Sequence, residues 1–138
     1  MLKVEEAITL NAPAEKVWET IGEFGGLADW HPAAVACTTS EQGSDVIRTI
    51  SIPGGGSLVE KLEALHSKQF SMTYSIVDGP LPVTSYRSTL KLVPNGDHAS
   101  KAMWSGEFAA SGVDDEAAQK VIRGIYTTGL DALRKRFG

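Results

Sequence analysis

The sequence predicts a single α+β domain, in which a curved, seven-stranded antiparallel sheet wraps around one long helix at the C-terminal end of the chain. Three observations lead to this fold class. Seven segments alternate between apolar and polar residues, as half-buried strands do. Most connections between them are short, so neighbours along the chain pair as antiparallel neighbours. The last segment instead repeats its apolar residues at helical spacing.

The first strand and two short helices precede the other six strands. Residues 2–10 alternate and form the first strand, whose apolar face carries Leu2, Val4, Ile8 and Leu10. Pro13 and the acidic residues after it are signals that start a helix. Apolar residues then recur at helical spacing, at Val17, Trp18, Ile21 and Phe24. Gly25–Gly26 is expected to end that helix, and a second short helical segment leads to Trp30.

Six strand-like segments follow, separated by Gly, Asp, Pro or Asn turn signals. We place them near residues 34–41, 46–52, 57–66, 69–77, 84–93 and 100–110. The clearest is "QFSMTYSIV", in which one face carries Phe70, Met72, Tyr74 and Ile76. In "AMWSGEF" the inward residues are Ala102, Trp104, Gly106 and Phe108.

The final helix begins where Asp114 and Asp115 can cap it, and it runs to about residue 137. Its predicted apolar stripe consists of Ala118, Val121, Ile122, Ile125, Gly129, Leu130 and Leu133. The one basic cluster, at residues 134–136, lies in the last turn, where positive charge complements the helix dipole.

Composition excludes several classes of partner and location. The 138 residues are 42% hydrophobic and can bury a core, and the net charge of −4 argues against nucleic acid as a partner. Cys37 is the single cysteine, so no internal disulfide can form and a reducing compartment is expected. The first residues match neither a signal peptide nor a membrane span. We therefore expect a cytoplasmic protein without membrane insertion, as a monomer or weak homodimer.

The predicted sheet and helix leave room for a cavity between them. A helix is only about 10 Å wide and covers part of a strongly curved face. Some residues are small where a packed core would need bulk, namely Ser88, Ala102, Gly106 and Gly129. We therefore predict a space beneath the helix that a guest molecule fills.

Four stretches of the sequence carry a resemblance to a known family: "APAEKVWETIGEFGGLADW", "WHPAAVAC", "VEKLEAL" and "SIVDGPLPVTSYRSTLKLV". They resemble the polyketide cyclase/dehydrase branch of the START-like, Bet v 1-like (SRPBCC) superfamily, and the similarity runs from Val4 to Phe137. The resemblance implies a helix-grip fold that holds a lipid, sterol, polyketide or plant hormone between the last helix and the sheet.

The plant abscisic acid receptors of the same superfamily allow a comparison of single positions. Residues 51–55, "SIPGG", resemble their gate loop. Their pocket residues correspond to Glu60, Tyr74, Ile76, Tyr86 and Ser88. Their latch motif falls on Leu81 and Val83 and is not reproduced, and the lysine that pairs with the hormone falls near His31.

Two polar residues within the predicted cavity have both a functional and a structural interpretation. His31, held extended by the proline after it, is either a polar contact for a ligand or part of a corner in which Trp30 fills the core. Glu60 shares a strand face with leucines, so its carboxylate should point at water or at a ligand hydroxyl, or else lie at the wet rim of the sheet. Tyr74 and Tyr86 either pack the core or add a polar spot.

The complete set of predicted ligand-binding positions is Trp30, His31, Leu58, Glu60, Leu62, Tyr74, Ile76, Leu81, Val83, Tyr86, Ser88, Trp104, Val121, Ile125 and Gly129. Two loops are predicted to gate the cavity, through Pro53, Gly54, Gly55 and Gly56 in the first and Gly79 and Pro80 in the second. His66 and His98 are too isolated to ligate a metal, and neither a metal nor a cofactor is expected.

Three functions remain open at this point. The first is binding of a small apolar or amphipathic molecule, for transport or sensing. The second is a cyclase or dehydratase reaction on a keto substrate, with His31, Glu60 and the tyrosines as acid–base groups. No serine-histidine-aspartate order or dinucleotide glycine pattern offers other catalytic groups. The third is a filled domain that acts through contacts with other proteins.

Overall fold

The computed structural model describes all residues from Met1 to Gly138 and contains one seven-stranded sheet and two α-helices. The strands are β1 (Leu2–Leu10), β2 (Ala36–Gln42), β3 (Asp45–Ser51), β4 (Ser57–His66), β5 (Ser71–Asp78), β6 (Val83–Pro94) and β7 (Ser100–Ala110). The helices are α1 (Ala14–Ile21) and α2 (Asp115–Phe137), and short 3₁₀ helices cover Phe24–Asp29 and Ser67–Gln69. The predicted helix-grip fold, with a curved antiparallel sheet and a long C-terminal helix, is confirmed.

The order of the strands in the sheet is β1-β7-β6-β5-β4-β3-β2. Strands β2 to β6 each pair with the next strand along the chain, because their short connections favour hairpins. Strand β1 instead pairs with β7, in a register that sets Leu2 opposite Phe108 and Leu10 opposite Ser100.

Helix α1 ends earlier than the glycine pair predicts. It stops at Ile21, and the N–H of Gly22 donates to the Trp18 carbonyl at 2.8 Å. A Cβ atom at Gly22 would lie only 2.5 Å from Trp18 Cε2, so the Trp18 ring folds over this glycine. Gly25–Gly26, expected to end the helix, lie inside the 3₁₀ helix that leads to Trp30.

Helix α2 begins at the predicted cap, where the Asp114 side chain accepts a hydrogen bond from the N–H of Ala117 at 2.7 Å. Its buried face consists of Ala118, Ile122, Tyr126, Gly129, Leu130 and Leu133. This face differs from the predicted stripe, because Tyr126 is fully buried while Val121 is 40% exposed. Neither α1 nor α2 combines the length and the apolar character that crossing a bilayer requires.

The small residues beneath α2 do not leave the space predicted from their size. A Cβ atom at Gly106 would meet the Tyr126 hydroxyl, so the glycine makes room for that side chain. A Cβ atom at Gly129 would lie 2.6 Å from His31 Cδ2 and 2.7 Å from Trp104 Cζ3. The small residues therefore seat larger neighbours, and the core below the middle of α2 is filled.

Candidate functional site

A cavity of about 240 Å³ lies to one side of this filled core. Its walls come from the segment after the 3₁₀ helix, from strands β3 to β7 and from one turn of α2, and eleven of its sixteen lining residues are hydrophobic. The walls are therefore suited to a small and mostly apolar molecule.

A buried ion pair provides the charged part of the lining. Arg48 stands directly opposite Glu60 in the β3–β4 register, and its Nη2 and Nε atoms lie 2.6 and 2.8 Å from Glu60 Oε1. Arg48 Nη1 also donates to the Phe24 carbonyl at 2.9 Å. The guanidinium carbon lies 4.2 Å from the centre of the Phe24 ring and 4.7 Å from that of Tyr74. Burial raises the pKa of Glu60, and the positive charge of Arg48 opposes that rise.

A chain of hydroxyl groups connects the cavity wall to α2. Ser88 Oγ donates to the Ser105 carbonyl at 2.9 Å, and it lies 2.9 Å from the Tyr126 hydroxyl. Because the single Ser88 hydrogen is used on the carbonyl, Tyr126 must donate to Ser88. The Tyr86 and Tyr126 oxygens are 2.5 Å apart, so Tyr86 must in turn donate to Tyr126.

Trp104 ties a second tyrosine to this chain. Its Nε1–H lies 3.0 Å from the Tyr74 hydroxyl and 3.1 Å from Ser88 Oγ, and it donates to both. Burial raises the pKa of Tyr74 and of Tyr86, and it raises that of Tyr126 to about 12. All three phenols therefore stay neutral at physiological pH and act through hydrogen bonds.

A β-bulge in β6 points Tyr86 toward the cavity. Thr84 pairs with Ala109 and Arg87 with Glu107, so β6 carries one extra residue between these two pairs. Within the bulge, Ser85 has a φ of 54°, a left-handed conformation that a serine rarely adopts. The bulge thus brings the Tyr86 hydroxyl to Tyr126 on the helix.

His31 is buried, and both of its ring nitrogens have hydrogen-bond partners. The backbone N–H of Ala33 donates to Nδ1 at 3.1 Å, and Nε2 lies 2.9 Å from the Ile125 carbonyl. Since a backbone N–H only donates and a carbonyl only accepts, Nδ1 is bare and Nε2 carries the hydrogen. Burial lowers the pKa of His31, so the ring is the neutral imidazole.

Trp30 packs into the core beside His31, away from the cavity. Its ring centre lies 5.7 Å from that of His31 and 5.7 Å from that of Trp104. The two neighbouring residues after the 3₁₀ helix therefore differ in role. The Trp30 indole fills the core, and the His31 imidazole lines the cavity.

Many of the sequence-predicted site residues meet at the cavity. Those on its wall are His31, Leu58, Glu60, Tyr74, Leu81, Tyr86, Trp104 and Ile125. The two predicted gate loops reach the same wall through Pro53 and Pro80. The residues therefore converge from β4 to β7, from two loops and from α2.

Other predicted positions lie off the wall. They are Trp30, Leu62, Ile76, Val83, Ser88, Val121 and Gly129, together with the loop glycines Gly54, Gly55, Gly56 and Gly79. Ser88 and Gly129 adjoin the site through Tyr126, Trp104 and His31, whereas Val121 is exposed. The glycines of residues 54–56 all have positive φ, and no side chain crowds them except that Ile52 touches Gly56.

Six wall residues are absent from the sequence-based set: Leu27, Ala33, Ala34, Arg48, Ile50 and Ile52. Arg48 is the important one, because it is the charged partner of Glu60. A signal for it exists in the hairpin at "PGGG". Pairing Ser51 with Ser57 across this turn sets Arg48 opposite Glu60.

No group of three or more His, Cys, Asp or Glu side chains is placed to hold a metal ion. His66 and His98 are exposed and stand apart. The polar groups of the cavity are therefore those of Arg48, Glu60, His31 and the tyrosines.

Comparison with known proteins gives one family match and several similar structures. The family model described as polyketide cyclase/dehydrase and lipid transport matches residues 1–138. No protein with a curated description matches the chain at significant similarity. Among solved structures, XoxI from Bacillus cereus is 35% identical with a TM-score of 0.94, over 99% of this chain and 96% of that one.

Two more distant structures share the architecture. The Zhui aromatase/cyclase from Streptomyces sp. R1128 is 16% identical with a TM-score of 0.80, over 98% of this chain and 92% of that one. A START superfamily protein from Mycobacterium smegmatis is 15% identical with a TM-score of 0.79, over 98% of this chain and 96% of that one. At these identities the likeness is one of fold.

Proposed function

The chain belongs to the polyketide cyclase/dehydrase and lipid transport family of the START-like, Bet v 1-like superfamily, and from this premise we propose that it binds a small, mostly apolar molecule in its cavity. The observation that carries the proposal is an apolar cavity whose polar groups are few and convergent. Affinity comes chiefly from burying ligand carbon, at about 25 cal/mol per Å². The ion pair and the tyrosines orient the ligand.

The hydrogen bonding of the acid–base candidates favours binding over proton-transfer catalysis. Both nitrogens of His31 are occupied, and its lowered pKa keeps it neutral. The Glu60 carboxylate is bonded to Arg48, and the tyrosines have raised pKa values. A general acid or base needs a pKa near the operating pH and a proton free to move. The proposal is accordingly a carrier or sensor, and the cavity argues against a filled domain that acts only through protein contacts.

Blocking the cavity should abolish binding of a two-ring aromatic compound. We expect the wild type to bind 2-naphthol and the Ala33→Phe variant to lose that binding, because residue 33 lies on the wall and a phenyl group there occupies the space. Quenching of tryptophan fluorescence, with Trp104 on the wall, and calorimetric titration both measure this.

The matched control is Val35→Phe, which adds a similar ring two residues away on a side chain that is 66% exposed. It should bind 2-naphthol as the wild type does. Mass spectrometry of an organic extract of the purified protein tests the same proposal for the natural occupant. Equal binding by Ala33→Phe and the wild type, with both folded, would place the ligand elsewhere and refute the proposal.

A further inference from the structure

One oxygen of the buried ion pair has no protein partner. Both bonds from Arg48 to the carboxylate end on Glu60 Oε1. Oε2 receives no hydrogen bond from the protein. Every fully buried side-chain nitrogen or oxygen does have a partner, so Oε2 is not fully buried. Oε2 is therefore open to the cavity, although the Glu60 side chain is only 5% exposed.

Arg48 uses three of its five N–H groups within the protein, and its charge is already paired with Glu60. Its Nε and Nη2 atoms are bonded to Glu60 and its Nη1 to the Phe24 carbonyl. The rings of Phe24 and Tyr74 lie against the guanidinium group. A ligand carboxylate that reached the two remaining N–H groups would lie beside the carboxylate of Glu60. Two carboxylates in one poorly solvated site repel each other strongly.

Besides the two N–H groups left on Arg48, the cavity offers free acceptors and one free hydroxyl hydrogen. The hydrogens of Tyr126 and Tyr86 are used within the hydroxyl chain, so the Tyr86 oxygen can only accept. The Tyr74 oxygen accepts from Trp104. Its own hydrogen stays available to a ligand, because Ser88 Oγ beside it already accepts from Tyr126 and Trp104 on its two lone pairs. A ligand group that fits both kinds of valence must donate as well as accept.

We propose, on the basis of the binding function above, that the cavity selects ligands carrying a neutral hydroxyl, an alcohol or a phenol, and rejects carboxylates. The ligand hydroxyl donates to Glu60 Oε2 and accepts from Tyr74. Glu60 is thus a residue that determines specificity, and Arg48 holds it in place and fixes its charge.

Three compounds that share one carbon skeleton test the proposal at neutral pH: naphthalene, 2-naphthol and 2-naphthoate. Calorimetric titration of the wild type should give the tightest binding for 2-naphthol, by roughly tenfold over naphthalene, since a hydrogen bond to a charged acceptor is of that order. The carboxylate should bind more weakly than either of the others.

Two variants and one control assign the effect to Glu60. Glu60→Gln removes the charge while keeping the shape, so 2-naphthoate should gain on 2-naphthol as the new partner of Arg48. The double variant Arg48→Met/Glu60→Leu keeps the volume without leaving a lone buried charge, and it should bind naphthalene but lose the preference for the hydroxyl. Glu63→Gln is the control, because Glu63 lies in the same strand, off the cavity wall, and bonds to Ser75.

The outcomes separate this inference from the proposed function. If none of the three compounds binds the wild type, the binding function itself fails. Binding of 2-naphthoate as tight as that of 2-naphthol leaves the function intact and overturns the selectivity. A folded Glu60 variant that binds the three compounds in the same order of affinity as the wild type would also overturn the selectivity. If Glu60→Gln does not fold, the test of selectivity rests on the double variant and on the order of the three affinities in the wild type.

Discussion

Among single residues, His31 makes the longest-range connection in the site. Its Nε2–H reaches the Ile125 carbonyl on α2, and the N–H of Ala33 holds the ring from the other side. Protonation would place a hydrogen on Nδ1, where a backbone N–H already points. The neutral ring is therefore built into the fold, and its lowered pKa makes stability depend on pH.

We expect acidification to destabilise the protein through His31. In the unfolded chain this histidine takes up a proton near its ordinary pKa of 6.5, whereas the folded protein resists it. Stability is therefore complete above 6.5, falls as the pH drops below that value, and levels off below the folded pKa. Urea unfolding at about pH 7.5 and about pH 5.5 measures the difference.

The His31→Gln variant should show a smaller loss between the two pH values, even though it is less stable at both. His98→Gln, which changes an exposed histidine, should keep the wild-type difference. An unchanged difference in His31→Gln would assign the pH dependence to other groups.

At this scale the sequence predicts which side chains face inward better than it predicts what they meet. The sequence predicts that Glu60 points at water, at a ligand hydroxyl or at the wet rim, whereas in the structure it is paired with Arg48. The alternation in β4 fixes the side of the sheet on which Glu60 lies, but its partner depends on the register of a hairpin. Tyr126 was missed because neighbouring apolar residues, Val121 and Ile125, define an equally regular helical stripe.

Among the elements, α2 depends on two glycines that do different work. Gly129 lies where His31 and Trp104 pack closely against the helix, with no room for a methyl group. Gly124 lies on the exposed face of the same helix, and nothing stands within 4 Å of the place where its Cβ would be. The same substitution at the two positions therefore separates packing from helix propensity.

We expect Gly124→Ala to raise the free energy of unfolding by up to about 1 kcal/mol, because alanine is the better helix former. Gly129→Ala should lower it, since overpacking costs about 1–3 kcal/mol and exceeds that gain. Chemical denaturation of both variants measures the two shifts. Stabilisation by Gly129→Ala would mean that His31 and Trp104 can move aside without cost.

The elements themselves are the part of the fold that the sequence predicts well. Strands half-buried in a sheet keep a period of two, and the β3–β4 turn and the Asp114 cap mark where elements begin and end. The predicted cavity beneath Gly106 and Gly129 was misplaced for a physical reason. A small residue leaves space only if no neighbour fills it, and Tyr126, His31 and Trp104 fill it here.

Across the whole molecule, two loops from neighbouring hairpins meet at the cavity wall. The β3–β4 turn contributes Ile52 and Pro53, and the β5–β6 loop contributes Pro80 and Leu81. Three consecutive glycines with positive φ form the tip of the first turn, with open space around Gly54 and Gly55. Such a tip has few contacts to hold it, as a gate requires.

If these loops gate the cavity, their amides should be protected when it is filled. We expect fast hydrogen exchange at the amides of Gly54, Gly56 and Leu81 in the free protein and slower exchange with 2-naphthol bound. The turn between β6 and β7, at residues 95–99, lies off the wall and serves as the internal control. Equal exchange in both states would rule out gating by these loops.

The pairing of β1 with β7 has a consequence for how the protein folds. Strands β2 to β7 can join one hairpin at a time, each across a short loop, but Leu10 meets Ser100 only by closing most of the chain into a ring. That closure costs the most chain entropy, so we expect the pairing of β1 with β7 to form after the six hairpin-linked strands have joined.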